Sequence, residues 1–288
     1  MDSYKMGWLP DYPDIRDYTP QHELIEPMLR KVGITRSENN ISLPSSVDLR
    51  EWCPPIEDQG KLGSCTAQAG AGLVEYFENK AFGKYIDASR LFLYKATRNL
   101  LNFKGDTGAY IRTTLGALVL FGVPPEKYWP YNISKYDTEP TAFCYSFAQN
   151  YQTASYFKLD TPDLTPNELF TRIKQYLANG IPPMFGFTVY SSYRQADKTG
   201  KIPYPGPKES VAGGHAVMAV GYDDLIQITN TISGKTTTGA LLIRNSWGTS
   251  WGVSGYGWLP YDYVLNKLAV DWWSILSNEW IDTGNFFY

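Results

Sequence analysis

Three side chains in this sequence have the types that nucleophilic acyl chemistry needs: the thiol of Cys65, the imidazole of His215 and the carboxamide of Asn245. A thiolate attacks a carbonyl carbon, an imidazole carries the proton, and a carboxamide oxygen can fix the imidazole tautomer. Cys65 follows Gly63-Ser64 and stands where a helix is expected to begin. A helix N-terminus offers partial positive charge and unpaired N–H groups, and both favour thiolate. The other reading of Cys65 is a buried, inert cysteine, the commoner fate of a lone one. His215 lies in Gly213-Gly214-His215-Ala216-Val217, where two glycines clear the space before it; alternatively it is a satisfied core histidine at a strand end. His22 is the one other histidine, so histidine chemistry has two candidates. Asn245 ends the apolar run Leu242-Ile243-Arg244. It either caps a turn or accepts the imidazole N–H, with Trp247 screening that bond from water or simply packing in the core. Gln59, shortly before Cys65 in Asp58-Gln59-Gly60, either shapes a turn or joins the Cys65 backbone N–H around an oxyanion.

The bulk numbers bound what such residues could serve. The chain has 288 residues, enough for one large or two medium domains. It is 43% hydrophobic and 19% charged, which excludes a disordered chain. A net charge of −3 gives no electrostatic case for nucleic acid or an anionic membrane surface as partner. No apolar run approaches the ~20 residues that span a bilayer. The first residues lack a basic stretch followed by an apolar one, so no signal peptide is visible. The 22 tyrosines and 9 tryptophans read as a rigid, β-rich core before they read as a stacking platform. Cys53, Cys65 and Cys144 fit no zinc spacing, so no metal is expected; one disulfide plus one free thiol is the economical assignment.

The elements that must carry these residues divide the chain. Prolines punctuate residues 1–40, with room for one short helix over 23–31; this stretch reads as an extension lying on a body. Helices are expected over 65–80, from the cap Ser89 to about 101, and from Thr107 to Gly122. Thr165-Pro166-Asn167-Glu168 is a capping box with proline at the first helical position, opening a helix to Gly180. Small residues along 65–80 predict that this helix is buried against a close neighbour. Strands are expected over 184–190, 215–222, 227–232, 240–244 and 255–259, with a hairpin tip at Ser233-Gly234-Lys235. Helix-rich residues 41–150 carrying Cys65, followed by strand-rich residues 151–288 carrying His215 and Asn245, predict an α+β protein of two lobes with a site in the cleft between them.

In combination these segments resemble a known family. Asp58-Gln59-Gly60-Lys61-Leu62-Gly63-Ser64-Cys65 is similar to the active-site segment of papain-like cysteine proteases. Gly214-His215-Ala216-Val217-Met218-Ala219-Val220-Gly221-Tyr222 resembles their histidine strand, and Arg244-Asn245-Ser246-Trp247-Gly248 through Trp251-Gly252 their asparagine segment. His215 and Asn245 follow Cys65 by about 150 and about 180 residues, at and beyond the usual range for the family. The resemblance implies the two-lobed fold, with a helical lobe and an antiparallel, barrel-like β lobe. It implies peptide-bond hydrolysis of a peptide or protein substrate by a Cys65 thiolate and a His215 imidazolium, with Asn245 orienting the histidine, Gln59 in the oxyanion hole and no cofactor. It also implies substrate-binding roles for Gly108, Thr107, Gly214, Trp247 and Trp251, the last on the leaving-group side. Acyl transfer to an amine, or a silent fold used as a binding module, are the competing functions.

The departures carry expectations of their own. Leu62 and Thr66 stand where relatives carry a second cysteine and an aromatic residue, so the family's disulfide beside the active site is absent. Cys53 and Cys144 are left as a candidate pair, which would hint at an exported protein; two separate free thiols are the alternative. Gly108 fits the glycine wall of the cleft and Thr107 departs from it. Residues 1–40 are shorter than the usual prosegment and resemble those of bacterial members. They are expected either to reach into the cleft and block it or to strap the outside of a monomeric body.

Overall fold

The computed structural model describes residues 4–34, 42–152 and 155–286. The extension over 1–40 therefore lies partly outside the described residues. In chain order the elements are β1 (Trp8–Leu9), α1 (Glu26–Lys31), β2 (Ser46–Asp48), α2 (Cys65–Phe82), α3 (Arg90–Leu100), β3 (Ala109–Tyr110), α4 (Ile111–Phe121) and α5 (Ala142–Ala148). They continue with β4 (Ser155–Lys158), α6 (Pro166–Ala178), β5 (Met184–Tyr190), β6 (Val211–Thr229), β7 (Thr236–Arg244), β8 (Tyr256–Pro260), α7 (Asp262–Leu265), β9 (Ala269–Leu276) and α8 (Asn278–Ile281).

Local chemistry explains the helix bounds. Ser89 Oγ accepts the Phe92 N–H at the start of α3, and the full Thr165/Glu168 capping box opens α6. Helix α2 ends at Gly83 in the left-handed region, where glycine costs least. The helix expected from Thr107 starts later, at Ile111. Residues 109–110 instead form β3, which pairs parallel with β1.

The sheet has seven strands in the order β4-β9-β5-β6-β7-β8, with β2 also paired to β6. Apart from the 1–3 pairing the ladders are antiparallel. The barrel-like closure expected of the β lobe does not occur: no ladder joins β8 to β4 among the described residues, so the sheet is open. Expected strands 215–222 and 227–232 are one long strand, β6, which bends at register breaks near Ala219/Gly221 and Asp223/Gln227. Beyond Thr229 the chain turns at Asn230, whose Oδ1 accepts the N–H groups of Ile232 and Ser233.

Helix α2 is the axis of the core. Nearly all of it is buried, and its glycines let it approach its neighbours. A methyl on Gly72 would lie 2.8 Å from the Arg244 guanidinium and 2.9 Å from Met218 Sδ, so α2 presses directly on β6 and β7. That contact brings the helix start at Cys65 against the strand carrying His215.

Cys53 and Cys144 do not pair: all three cysteines are free thiols. Cys53 follows a short 3-10 turn and its Sγ donates to Leu49 O, while Cys144 on α5 donates to Tyr128 O. Each thiol is satisfied by a separate carbonyl, and nothing draws the two together. No helix among the described residues is long and apolar enough to cross a membrane.

Candidate active site

Cys65 is the first residue of α2, fully buried, with its sulfur near the backbone N–H groups of Ala216, Gly7, Thr66 and its own residue. Ala216 is the neighbour of His215 on β6, so the thiol and imidazole segments meet at this point. His215 Nε2 lies 2.8 Å from Asn245 Oδ1. That oxygen already accepts the Ser246 N–H at 2.8 Å, so the imidazole must be the donor. Nε2 therefore carries the hydrogen. Nδ1, buried and without a partner, is the nitrogen left for the thiol. The Trp247 ring stacks on the imidazole at 4.5 Å between centroids and shields the Asn245 bond. Trp251 meets Trp247 edge-on at 5.3 Å and is itself buried.

Gln59 is locked from both ends. Its Oε1 accepts Ser246 Oγ–H at 2.7 Å, and its Nε2 donates to Leu62 O at 2.9 Å. The second Nε2 hydrogen points to the carbonyl oxygen of Lys5, also 2.9 Å away. A backbone carbonyl thus already takes the N–H that the family resemblance implies for an oxyanion.

That carbonyl belongs to residues 4–9, which run across the site. Tyr4 stacks on Trp247 at 4.9 Å and donates its hydroxyl to Trp247 O. Lys5 pairs with Asp106 at 2.7 Å. Gly7 O accepts the Ala109 N–H at 2.8 Å, and a methyl on Gly7 would fall 2.0 Å from Gly63 O. Trp8 covers Gly214. Of the expected substrate-binding positions, Gly108 and Gly214 lie against this segment. A methyl on Gly108 would be 2.2 Å from Gly7 O, at a φ of +76° that already favours glycine. Thr107 lines the same surface depression as Tyr4, Met6 and Gly214. His22 is not brought to the site; it stacks on Tyr18 at 3.8 Å.

Burial decides the charge state in this arrangement. The Cys65 thiol is pushed up to about 11 by desolvation, against the nearby N–H groups that pull it down. Desolvation likewise holds His215 down to about 4, although Asn245 favours the cation. With residues 4–8 excluding water, burial thus works against the expected thiolate–imidazolium pair and towards the neutral forms.

Several site residues carried no readable signal. Asp106 accepts the Gly63 N–H at 3.0 Å and the Tyr94 hydroxyl at 2.6 Å, tying the loop before Cys65 to the cleft wall. Ser246 fixes Gln59. Asp11 anchors the segment beyond Trp8: its carboxylate accepts the Arg112 N–H and Trp273 Nε1–H, and its own N–H donates to Asp271. Among the described residues no cluster of His, Cys, Asp and Glu is arranged to hold a metal ion.

Known proteins are similar to this chain in sequence and fold. The sequence profile described as "Papain family cysteine protease" matches residues 43–267. The chain belongs to the papain family of cysteine proteases. Its enzyme class is accordingly that of cysteine-type peptidases. It is 38% identical over 224 residues to an uncharacterised peptidase C1-like protein of Acanthamoeba polyphaga mimivirus, covering 76% of this chain and 68% of the viral one. Chymopapain of Carica papaya is 27% identical over 222 residues, 74% of this chain but 54% of that protein. Among solved structures, xylellain, a cysteine protease from Xylella fastidiosa, superposes with a TM-score of 0.75 at 33% identity, covering 96% of this chain and 98% of that one.

Proposed function

We propose that the chain hydrolyses peptide bonds through a thioester on Cys65, and that residues 4–9 hold it inactive until they leave the cleft. The observation that carries the first part is the hydrogen-bond chain from Ser246 N–H to Asn245 Oδ1 to His215 Nε2, which leaves Nδ1 free to serve as the base for a thiol that sits against the neighbouring Ala216. Once the cleft is open to water, the desolvation that suppresses both charges is relieved. The helix end and the imidazolium then stabilise the thiolate. Sulfur attacks the carbonyl carbon, while Gln59 Nε2 and the Cys65 N–H receive the oxyanion. His215 gives its proton to the leaving amine, which breaks the peptide bond. It then takes a proton from the water that cleaves the thioester. No step calls for a metal or organic cofactor.

The second part rests on what residues 4–8 occupy. Lys5 O takes the oxyanion donor, the Gly7 N–H lies on the sulfur, Tyr4 covers Trp247, and Trp8 fills the space at Gly214. A substrate would need each of these places. Cys65→Ala should abolish peptide hydrolysis with the fold intact, and a chain starting near Ser42 should outpace the full-length chain. Turnover surviving in Cys65→Ala would refute the nucleophile, and equal rates for the two lengths would refute the block.

A further inference from the structure

The hydroxyl of Tyr131 stands between two segments of the site. Its hydrogen goes to Gln59 O at 3.0 Å, because a carbonyl can only accept. Ser64 Oγ lies 2.7 Å from the same hydroxyl and must therefore be the donor of that second bond. Gln68 Nε2 donates in turn to Ser64 Oγ at 3.4 Å. A directed chain thus runs from Gln68 on α2 through Ser64 and Tyr131 to the backbone of Gln59. Ser64 and Gln68 are buried, and burial pushes the Tyr131 hydroxyl up to about 12, which keeps its donor hydrogen in place. The Tyr131 N–H donates to the Glu126 carboxylate, which pairs with Arg90 at 3.2 Å, so the tyrosine is itself anchored. Ser64 is the residue before α2. A serine there ordinarily takes extended backbone angles and accepts an N–H of the first helical turn. Ser64 does neither: its ψ is 17° and its side chain accepts no such N–H. The Thr66 N–H stays near the Cys65 sulfur instead.

We propose that Tyr131 is a positioning residue of the peptidase reaction: its hydroxyl draws Ser64 away from capping α2 and holds the Gln59 backbone, so that the first N–H groups of the helix stay free for the Cys65 sulfur and the Gln59 amide stays aimed at the oxyanion. The proposal deepens the peptidase reading and rests on it. Without the phenol oxygen, the Ser64 hydroxyl loses its acceptor. Ser64 then relaxes towards the angles of a capping serine, and its oxygen takes an N–H of the first turn in competition with the sulfur. A thiolate that loses such a donor is less favoured. Gln59 keeps its two bonds to Ser246, through its N–H at 2.9 Å and its Oε1 at 2.7 Å. Its carbonyl is left with the Leu62 N–H alone, at 3.3 Å, so the residue that carries the oxyanion donor is less firmly placed.

The test compares Tyr131→Phe, Ser64→Ala and the double variant in the full-length chain, each with and without Gly7→Ala, which sets a methyl 2.0 Å from Gly63 O and so loosens residues 4–9. The first readout is the pH profile of Cys65 alkylation by iodoacetamide between about pH 3 and 8. Tyr131→Phe is expected to move the midpoint up by about 0.5–1 pH unit, the strength of one capping bond. Ser64→Ala alone should leave the midpoint in place. In the double variant it should bring the midpoint back, because no hydroxyl remains to compete for the N–H. The second readout is peptide hydrolysis. Tyr131→Phe is expected to lower kcat roughly tenfold with KM little changed, as for an oxyanion donor that is loosened rather than removed, and Ser64→Ala should not restore it. A tyrosine that only props the fold would lower Tm and leave the midpoint where it was. An unchanged midpoint in Tyr131→Phe, a shift that Ser64→Ala fails to reverse, or a loss of kcat/KM carried by KM alone overturns the proposal. A shift and its reversal in chains that cleave no peptide would instead refute the peptidase reading, because alkylation needs no turnover, while the link from Tyr131 through Ser64 to the sulfur survives.

Discussion

Replacing Gly7 by alanine should switch the full-length chain on. The added methyl would lie 2.0 Å from Gly63 O, 2.4 Å from Gly63 C and 2.6 Å from Gly63 Cα. All three atoms are backbone of the loop that leads into Cys65, so no side chain can swing aside. Overpacking of ordinary cores costs about 1–3 kcal/mol, and a rigid backbone contact belongs at the upper end of that range. Alanine also stiffens the released chain, which favours the docked form by up to about 1 kcal/mol. The net shift of about 2 kcal/mol multiplies the ratio of released to docked chain by roughly 30. The readout is alkylation of Cys65 by iodoacetamide at about pH 6, located by mass spectrometry. In the docked chain burial pushes the thiol up to about 11, so thiolate is scarce at that pH. In the released chain the helix end and His215 make the thiolate the major form. The alkylation rate therefore follows the released fraction. It should rise about 30-fold in Gly7→Ala, with peptide hydrolysis rising in step. Equal alkylation rates in the two proteins, or faster alkylation without faster hydrolysis, would show that residues 4–9 do not govern the site.

Release should also depend on pH through Asp11. Burial among Asp271, Arg112 and Lys158 pushes its carboxyl up to about 6 in the docked chain, with the Asp271 charge adding to the rise and the two cations opposing it. Released, it would titrate near 4. The docked form thus binds the extra proton between about pH 4 and 6. Docking strengthens as pH falls through that window, weakens as pH rises through it, and is level above it. Asp11→Asn should flatten this part of the pH profile of alkylation, and a profile unchanged by the substitution would remove Asp11 from the account. On the Gly7→Ala background, Gln59→Ala should lower kcat by about 10²–10³ with little change in KM, as expected for a donor that acts on the oxyanion; a purely higher KM would assign Gln59 to ground-state binding. Since Cys53 and Cys144 are free, a reductant should leave Tm unchanged. A fall of several degrees would point to a bridge, which for so long a loop would contribute about 4–5 kcal/mol.

The grouping of Cys65, His215 and Asn245 is legible because the chemistry proposed for them constrains their neighbours along the chain. Cys65 needs a helix start, His215 a cleared strand end and Asn245 a turn, and each leaves local marks in glycines, caps and apolar runs. The α2, α3 and α6 helices were visible for the same reason. Strand β9 escaped notice because Asp271, at a left-handed φ, interrupts its apolar run. The Cys53–Cys144 pairing failed because a count of thiols carries no distance. The helix expected from Thr107 begins late because residues 109–110 are extended to pair with β1, a partner about a hundred residues earlier. Context of that kind overrides local propensity.

The path of residues 4–9 was the least legible feature, and its physics explains why. The contacts that hold it are distant in sequence: Tyr4 with Trp247, Gln59 with Lys5, and Trp8 and Asp11 with Asp271. An extended chain with one glycine, followed by prolines at 10 and 13, shows no period, so sequence leaves open whether it straps the body or enters the cleft. Its composition still matches the surface it meets, residue by residue. Gly7 stands where only a backbone fits, Trp8 where two glycines leave room, Lys5 where Asp106 offers a carboxylate, and Asp11 where the Arg112 and Trp273 N–H groups converge. A strap on the outside would need none of these matches. On the proposed reading the same matches would act in two ways at once: they would fill the places a substrate uses, and the burial they bring favours the uncharged forms of Cys65 and His215.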